Sequence, residues 1–162
     1  MSAITVSAAQ MDDLAALNQL MFALHDEHHH ACPTYFKTAD EIEQEKSIAR
    51  YLDDPECLVY VARQNEQIVG FITGHFCELV SSVSKSIPMG SIDELYVIPE
   101  CRQQRVAAVL VARLEATFID YGVQEMFVEV WDFNQIAQYF YQQRGFSQHI
   151  HWLRKSLYPL AE

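Results

Sequence analysis

The stretch Ile92-Asp93-Glu94-Leu95-Tyr96-Val97-Ile98-Pro99-Glu100-Cys101-Arg102-Gln103-Gln104-Arg105-Val106-Ala107-Ala108 reads as a strand, a turn and the start of a helix. A loop entering a helix N-terminus exposes amide N–H groups that no helical carbonyl accepts, at the positive end of the helix dipole. Such a place suits a phosphate or pyrophosphate. Arg102 and Arg105 add cationic donors there, in a chain with few of them. The same pattern also fits an ordinary strand-to-helix turn with two solvated arginines. A second cluster is His25-Asp26-Glu27-His28-His29-His30, in which His25 and His29 fall at a helical i, i+4 spacing that can hold zinc. No third ligand follows from the pattern, so no metal site is assigned. Cys32, Cys57, Cys77 and Cys101 lack the close pairing of zinc or redox motifs and read as free thiols.

The elements that must position these residues follow from periodicity. Ile4 to Ala8 alternates as a first strand. From Met11, the apolar residues Leu14, Leu17, Met21 and Leu24 recur at helical spacing, with Asp12 and Asp13 in the first turn. An irregular connection, His28 to Phe36, leads to a second helix from Thr38 to about Leu52, stopped by Asp54-Pro55. Cys57 to Arg63 and Gln67 to Phe76 read as strands joined by the polar turn Gln64-Asn65-Glu66. Ser81 to Ser86 is a hairpin loop, and Ser91 to Ile98 is a third strong strand, ended by Pro99. Val106, Val109, Leu110, Leu114, Phe118 and Tyr121 then keep helical spacing up to a glycine cap at Gly122. Gln124 to Trp131 is a short strand, Ile136 to Gln143 a helix closed by Arg144-Gly145, and Phe146 to Leu157 a final strand. Its alternating His149, His151, Trp152, Arg154 and Lys155 mark a candidate homodimer surface. Alternating strands and helices with adjacent hairpins predict one α/β domain, residues 1–162, around a mixed sheet.

At 162 residues, with half of them hydrophobic, the chain can build one substantial core. Its 22 acids against 11 bases give a net charge of -11, which disfavours nucleic acid and anionic membrane surfaces and favours a cationic small molecule or basic peptide. No apolar run approaches the roughly 20 residues of a membrane helix, and Met1 to Gln10 has no signal-peptide pattern. A soluble cytoplasmic protein is expected.

A downstream stretch, Asn134-Gln135-Ile136-Ala137-Gln138-Tyr139-Phe140-Tyr141-Gln142-Gln143-Arg144-Gly145-Phe146, completes a pattern with the first. Together they resemble the GNAT superfamily of acetyl-CoA-dependent N-acetyltransferases. In that family a strand ending like L-Y-V-x-P precedes R-x-x-G-x-G/A, and N-x-x-A-x-x-F-Y-x-x-x-G-F follows. The resemblance implies the GNAT fold, a mixed central sheet with a splayed strand pair and helices on both faces. It also implies acetyl transfer from acetyl-CoA to an amine, a small polyamine-like compound or a peptide amine, by direct attack in a ternary complex.

Carried across by motif position, the resemblance assigns Leu95, Tyr96 and Val97 to the pantetheine arm and acetyl carbonyl, with the Val97 N–H polarising that carbonyl. Arg102, Gln103, Gln104, Arg105, Val106, Ala107 and Ala108 form the pyrophosphate loop. Asn134 contacts the cofactor, and Tyr141 protonates the departing thiolate; spacing alone would make Tyr141 a core or interface residue. Asp93 and Glu94 are the candidates for base or cation anchor, with Glu94 preferred as base. Adjacent strand residues face opposite sides, so in a regular strand only one of the two reaches the cleft. The first two helices and their connection wall the acceptor site in this family, which makes Asp26, Glu27, His29, Tyr35 and Phe36 candidates for acceptor contacts, the aromatics through cation–π interaction.

Arg105 departs from the family pattern, which has glycine there. Glycine lets backbone approach the phosphates without a Cβ in the way. Arg105 either crowds that approach or places its guanidinium on a phosphate. The departure motivates a second reading, a GNAT-fold ligand-binding or interaction module that has lost catalysis.

Overall fold

A computed structural model describes residues 3–158. The chain divides into two compact units, one running to Glu129 and the other beginning at Val130. The first holds β1 (Thr5–Ala8), α1 (Leu14–Ala31), α2 (Ala39–Glu45), α3 (Ile48–Asp53), β2 (Cys57–Gln64), β3 (Gln67–Leu79), β4 (Ile87–Val97), α4 (Val106–Asp120) and β5 (Glu125–Val128); the second holds α5 (Gln135–Gln143). No helix among the described residues is long and apolar enough to cross a membrane.

The strands lie in chain order, β1-β2-β3-β4-β5, antiparallel except for the parallel β4–β5 pair. β2 and β3 are joined through Asn65 and Glu66, which take φ of 53° and 65°, the left-handed pair a tight hairpin needs. Helices cover both faces. On one, Leu17, Leu20, Met21 and Leu24 of α1 and Ile48 of α3 pack with Val59, Val61, Phe71 and Tyr96. On the other, α4 lies close because the sheet offers it glycines. A Cβ on Gly74 would come within 2.9 Å of Leu114, and one on Gly90 within 2.6 Å of the Phe118 ring.

Several ends are fixed locally. Asp13 accepts from the Gln10 N–H at the start of the α1 region and takes a two-pronged ion pair from Arg63 at 2.8 and 2.9 Å. Thr38 and Glu41 form a reciprocal capping box on α2, and the Ser47 side chain caps α3.

Three expectations are corrected. The helix expected from Thr38 to Leu52 is two helices, because Lys46 and Ser47 are extended between them. His28 to Ala31, expected in an irregular connection, belong to α1, where His28 accepts the Cys32 N–H at its carbonyl. The strand expected over Phe146 to Leu157 is absent: this segment has no regular structure, and Ile150, Trp152, Leu153 and Leu157 are exposed. Alternation specifies a strand only where a neighbouring edge supplies hydrogen bonds.

Two features of β4 shape the site. Thr73 pairs with Glu94 but Gly74 pairs with Ile92, so Asp93 is the extra residue of a β-bulge. On its other side β4 pairs with β5 only from Met89 to Ile92, leaving the backbone up to Val97 without a strand partner on that edge among the described residues. This is the expected splay.

Candidate active site

The bulge changes which residues share a face. Ile92 lies opposite Gly74 and therefore faces α4. In a regular strand Glu94 would follow it. The extra residue instead puts Glu94 opposite Thr73, on the side of Phe71, Tyr96 and α1. Asp93 turns to the same side, where its carboxylate accepts from Ser91 Oγ at 3.1 Å and meets His75 Nδ1 at 2.7 Å. The expectation that only one of the two carboxylates reaches this face held for a regular strand, and β4 is not regular.

Glu94 is 5% exposed, and a buried carboxylate needs partners. It has them on both oxygens: Lys46 Nζ contacts Oε1, and the Thr73 hydroxyl donates to Oε2. The same hydroxyl accepts the Glu94 N–H at 2.9 Å, so residue 94 is pinned at both backbone and side chain. Tyr51 lies beneath Lys46, whose ammonium is 5.6 Å from the ring centroid. Burial, then the Glu94 and Asp93 charges, push the Tyr51 phenol well above its ordinary range, so it stays neutral. His25 shares a small pocket with Lys46, and its Nε2 is buried without a hydrogen-bond partner among the described residues. Burial, then the charges of Lys46 and His28, hold that imidazole down to about 4.

The strand edge beside this cluster presents backbone. The Ile98 N–H donates to Val69 O at 2.9 Å, which fixes the alternation of the antiparallel β3–β4 pair. The N–H and C=O groups of Leu95 and Val97 must then point away from β3, into the splay. Arg102 occupies part of this edge: its Nε donates to Val97 O at 2.9 Å, and its Nη2 donates to Glu27 of α1 at 2.8 Å. Its guanidinium lies 5.3 Å over the Tyr96 ring, and the Tyr96 hydroxyl reaches Glu27 at 3.3 Å. Arg102 is thus engaged as a tie between strand, loop and α1 rather than turned outward.

The loop from β4 to α4 keeps the backbone shape that glycine would give it. Gln103 has φ 65° and Arg105 φ 67°, both left-handed. Each such residue with a Cβ costs about 1 kcal/mol or more. Arg105 is the N-cap of α4, and the first bond of the helix runs from Val109 N–H to Arg105 O at 3.0 Å. The amides of Val106, Ala107 and Ala108 precede that first helical donor, and Gln103, Gln104 and Arg105 have exposed side chains. Gln104 Nε2 donates to Glu100 O at 3.3 Å.

Around the end of α1, His29 Nδ1 meets the Phe36 carbonyl at 2.9 Å. A carbonyl only accepts, so Nδ1 carries the proton. Tyr35 and Phe36 meet edge to face at 5.3 Å. Asp26 pairs with His30 at 3.4 Å, in solvent. Glu27, not Asp26, links α1 to the strand.

In the second unit, Asn134 caps α5 by accepting the Ala137 N–H at 3.1 Å. The Gly145-Phe146 pair closes the helix: Gly145 has φ 94°, its N–H donates to Gln142 O, and the Phe146 N–H donates to Tyr141 O. This is a Schellman ending, with the Phe146 ring against Tyr141 at 5.3 Å as its apolar contact. Tyr141 is held between Phe140 and Phe146, and burial pushes its phenol well above the ordinary value.

Sequence reasoning missed Lys46, Tyr51, Thr73 and His75. Thr73 and His75 continue the Phe71 face of β3, so polar residues at i+2 and i+4 in a buried strand were the available signal. Lys46 and Tyr51 gave none, because the break between α2 and α3 was not legible.

Residues 21–146 match the acetyltransferase (GNAT) family model. An uncharacterized N-acetyltransferase of Mycobacterium tuberculosis is 30% identical over 141 residues, 83% of this chain and 81% of its own length. The crystal structure of an acetyltransferase from Vibrio fischeri is 55% identical, with TM-score 0.66, covering 78% of this chain and 96% of that one. The aminoglycoside N-acetyltransferase AAC(6')-Iy, solved with CoA, shares the fold at 19% identity and TM-score 0.72, covering 96% of each chain. A family match over most of its length, with the strand, loop and helix motifs inside it, makes this chain a member of the GNAT acetyltransferase family and an acyltransferase.

Proposed function

We propose that the protein moves an acetyl group from acetyl-CoA to an amine by direct attack in a ternary complex. The observation that carries this reading is the bulge at Asp93, which sets two carboxylates on one face beside the open edge of β4. The amine gives a proton to Glu94, attacks the thioester carbon, and the Val97 N–H stabilises the developing oxyanion. Tyr141 then protonates the departing thiolate; a phenol holds its proton at neutral pH and so has one to give. The backbone of Leu95 to Val97 receives the pantetheine arm. The left-handed turns at Gln103 and Arg105, with the amides of Val106 to Ala108, receive the pyrophosphate. Asn134 supports the cofactor as the cap of α5.

The acceptor class is a cationic amine, a small polyamine-like compound or a peptide amine. The net charge of -11 and the Asp93–Glu94 pair support it, with Asp26, His29, Tyr35 and Phe36 as walls. AAC(6')-Iy, an aminoglycoside N-acetyltransferase, lends support for a small multiply charged acceptor. The protein works as one catalytic domain, in the cytoplasm, as a homodimer; the exposed apolar residues Ile150, Trp152 and Leu153 support the dimer. An amine screen that follows CoA thiol release tests the activity. Release stimulated by polyamines or aminoglycosides supports the reading, and release indifferent to every amine refutes it.

A further inference from the structure

Lys46 is the amine that the structure itself brings to Glu94. It stands at the C-cap of α2, in extended conformation (φ -128°, ψ 123°), where the chain breaks before Ser47 caps α3. That break directs the side chain to a carboxylate 48 positions away in sequence. The ammonium contacts Glu94 Oε1 and lies 5.6 Å from the Tyr51 ring centroid, and the side chain as a whole is 38% exposed, so it is anchored without being sealed off from solvent. With Thr73 on the other oxygen, the Glu94 side chain already holds a primary amine in hydrogen-bond contact. Lys37, by contrast, pairs with Glu45 in solvent.

We infer that Lys46 is a substrate of the chain's own acetyl transfer, an internal primary amine that is acetylated when no external acceptor is present. The inference rests on the proposed transfer chemistry and on Glu94 as its base. Lys46 Nζ gives a proton to Glu94 and attacks the thioester carbon of acetyl-CoA. The N–C bond forms and the C–S bond breaks. Of the two protons lost by the ammonium, one ends on the CoA sulfur and the other passes through Glu94 to solvent. The product is a neutral amide, which ends the ion pair and frees Glu94.

The test is incubation of the purified full chain with acetyl-CoA alone, with the occupancy of each lysine followed by peptide mass spectrometry. Lys46 should be acetylated at a rate unchanged by tenfold dilution of the protein, as an intramolecular step requires, and ahead of Lys37, Lys85 and Lys155. Glu94→Gln should slow it by about 100-fold, the lower end of a general base's contribution. Added 1,4-diaminobutane should compete with it. The dilution and competition arms need no variant, so misfolding of Glu94→Gln does not blur the outcome. If an added amine is acetylated while Lys46 stays unmodified, the inference falls and the proposed function stands. If all four lysines react alike, the modification is chemical and the inference falls. If neither an added amine nor Lys46 is acetylated, both fall.

Discussion

Asp93 and Glu94 are neighbours in sequence and turn their carboxylates to the same face of the sheet, because Asp93 is the extra residue of a bulge between the Thr73–Glu94 and Gly74–Ile92 pairs. Strand alternation would have separated them. The bulge also marks where β4 leaves β5, so the carboxylates and the backbone of Leu95 and Val97, which has no strand partner on that edge among the described residues, come from one short segment. The proposed mechanism uses this to bring acid–base chemistry and carbonyl recognition together.

Glu94→Gln keeps the shape of the side chain and removes the proposed base. The expected loss in turnover is about 100- to 10,000-fold, the usual range for general-base removal. Asp93→Asn should cost far less, since Glu94 is the proposed base and Asp93 only a second negative charge beside it, held by His75 and Ser91. Steady-state rates of the two variants compare the roles, and a larger loss in Asp93→Asn would reassign the base.

Tyr141→Phe should lower turnover and leave acetyl-CoA affinity nearly unchanged. The ring stays packed between Phe140 and Phe146, so the fold of α5 should survive. Calorimetric titration and rate measurements on the same preparation separate the two quantities. Equal losses in both would make Tyr141 a structural residue.

His25 should make the fold sensitive to mild acid. Its imidazole takes a proton near 6.5 when unfolded and only near 4 when folded, so below 6.5 the unfolded state binds more protons. Stability from this group is therefore full above pH 6.5 and declines as pH falls towards 4. The thermal midpoint of the native chain should fall more steeply across that window than that of His25→Gln. Parallel curves would mean that His25 is not buried in neutral form.

Arg105 tests the proposed phosphate loop. Arg105→Ala keeps a Cβ in the left-handed turn and removes the guanidinium with the two methylenes that carry it. Loss of a charged hydrogen bond to phosphate, about 1.5 kcal/mol or more, should weaken CoA binding by roughly tenfold. Arg105→Gly removes the same charge but relieves the strain at φ 67°, so it should be the more stable of the two variants. Tighter CoA binding in Arg105→Gly than in the native chain would show that the arginine obstructs the site.

Much of this was legible in the sequence. The β4–loop–α4 unit showed itself through Val97-Ile98-Pro99 and the spacing of Val106, Leu110 and Leu114, because local turn chemistry and a buried helical face both leave marks. The Gly145-Phe146 helix ending did so for the same reason. What depends on pairing between distant segments did not. The bulge at Asp93 is a property of register against β3, and the Lys46–Glu94 contact joins elements that share no local pattern. The alternating residues of Phe146 to Leu157 suggested a strand, yet no strand forms there.

The most direct test of the central claim is initial-velocity kinetics of CoA release, with acetyl-CoA and a polyamine varied together. Direct attack in a ternary complex predicts saturation by both substrates and reciprocal plots that intersect. Parallel plots, the sign of an acetylated enzyme intermediate on the route to product, or release that ignores the amine, would contradict it.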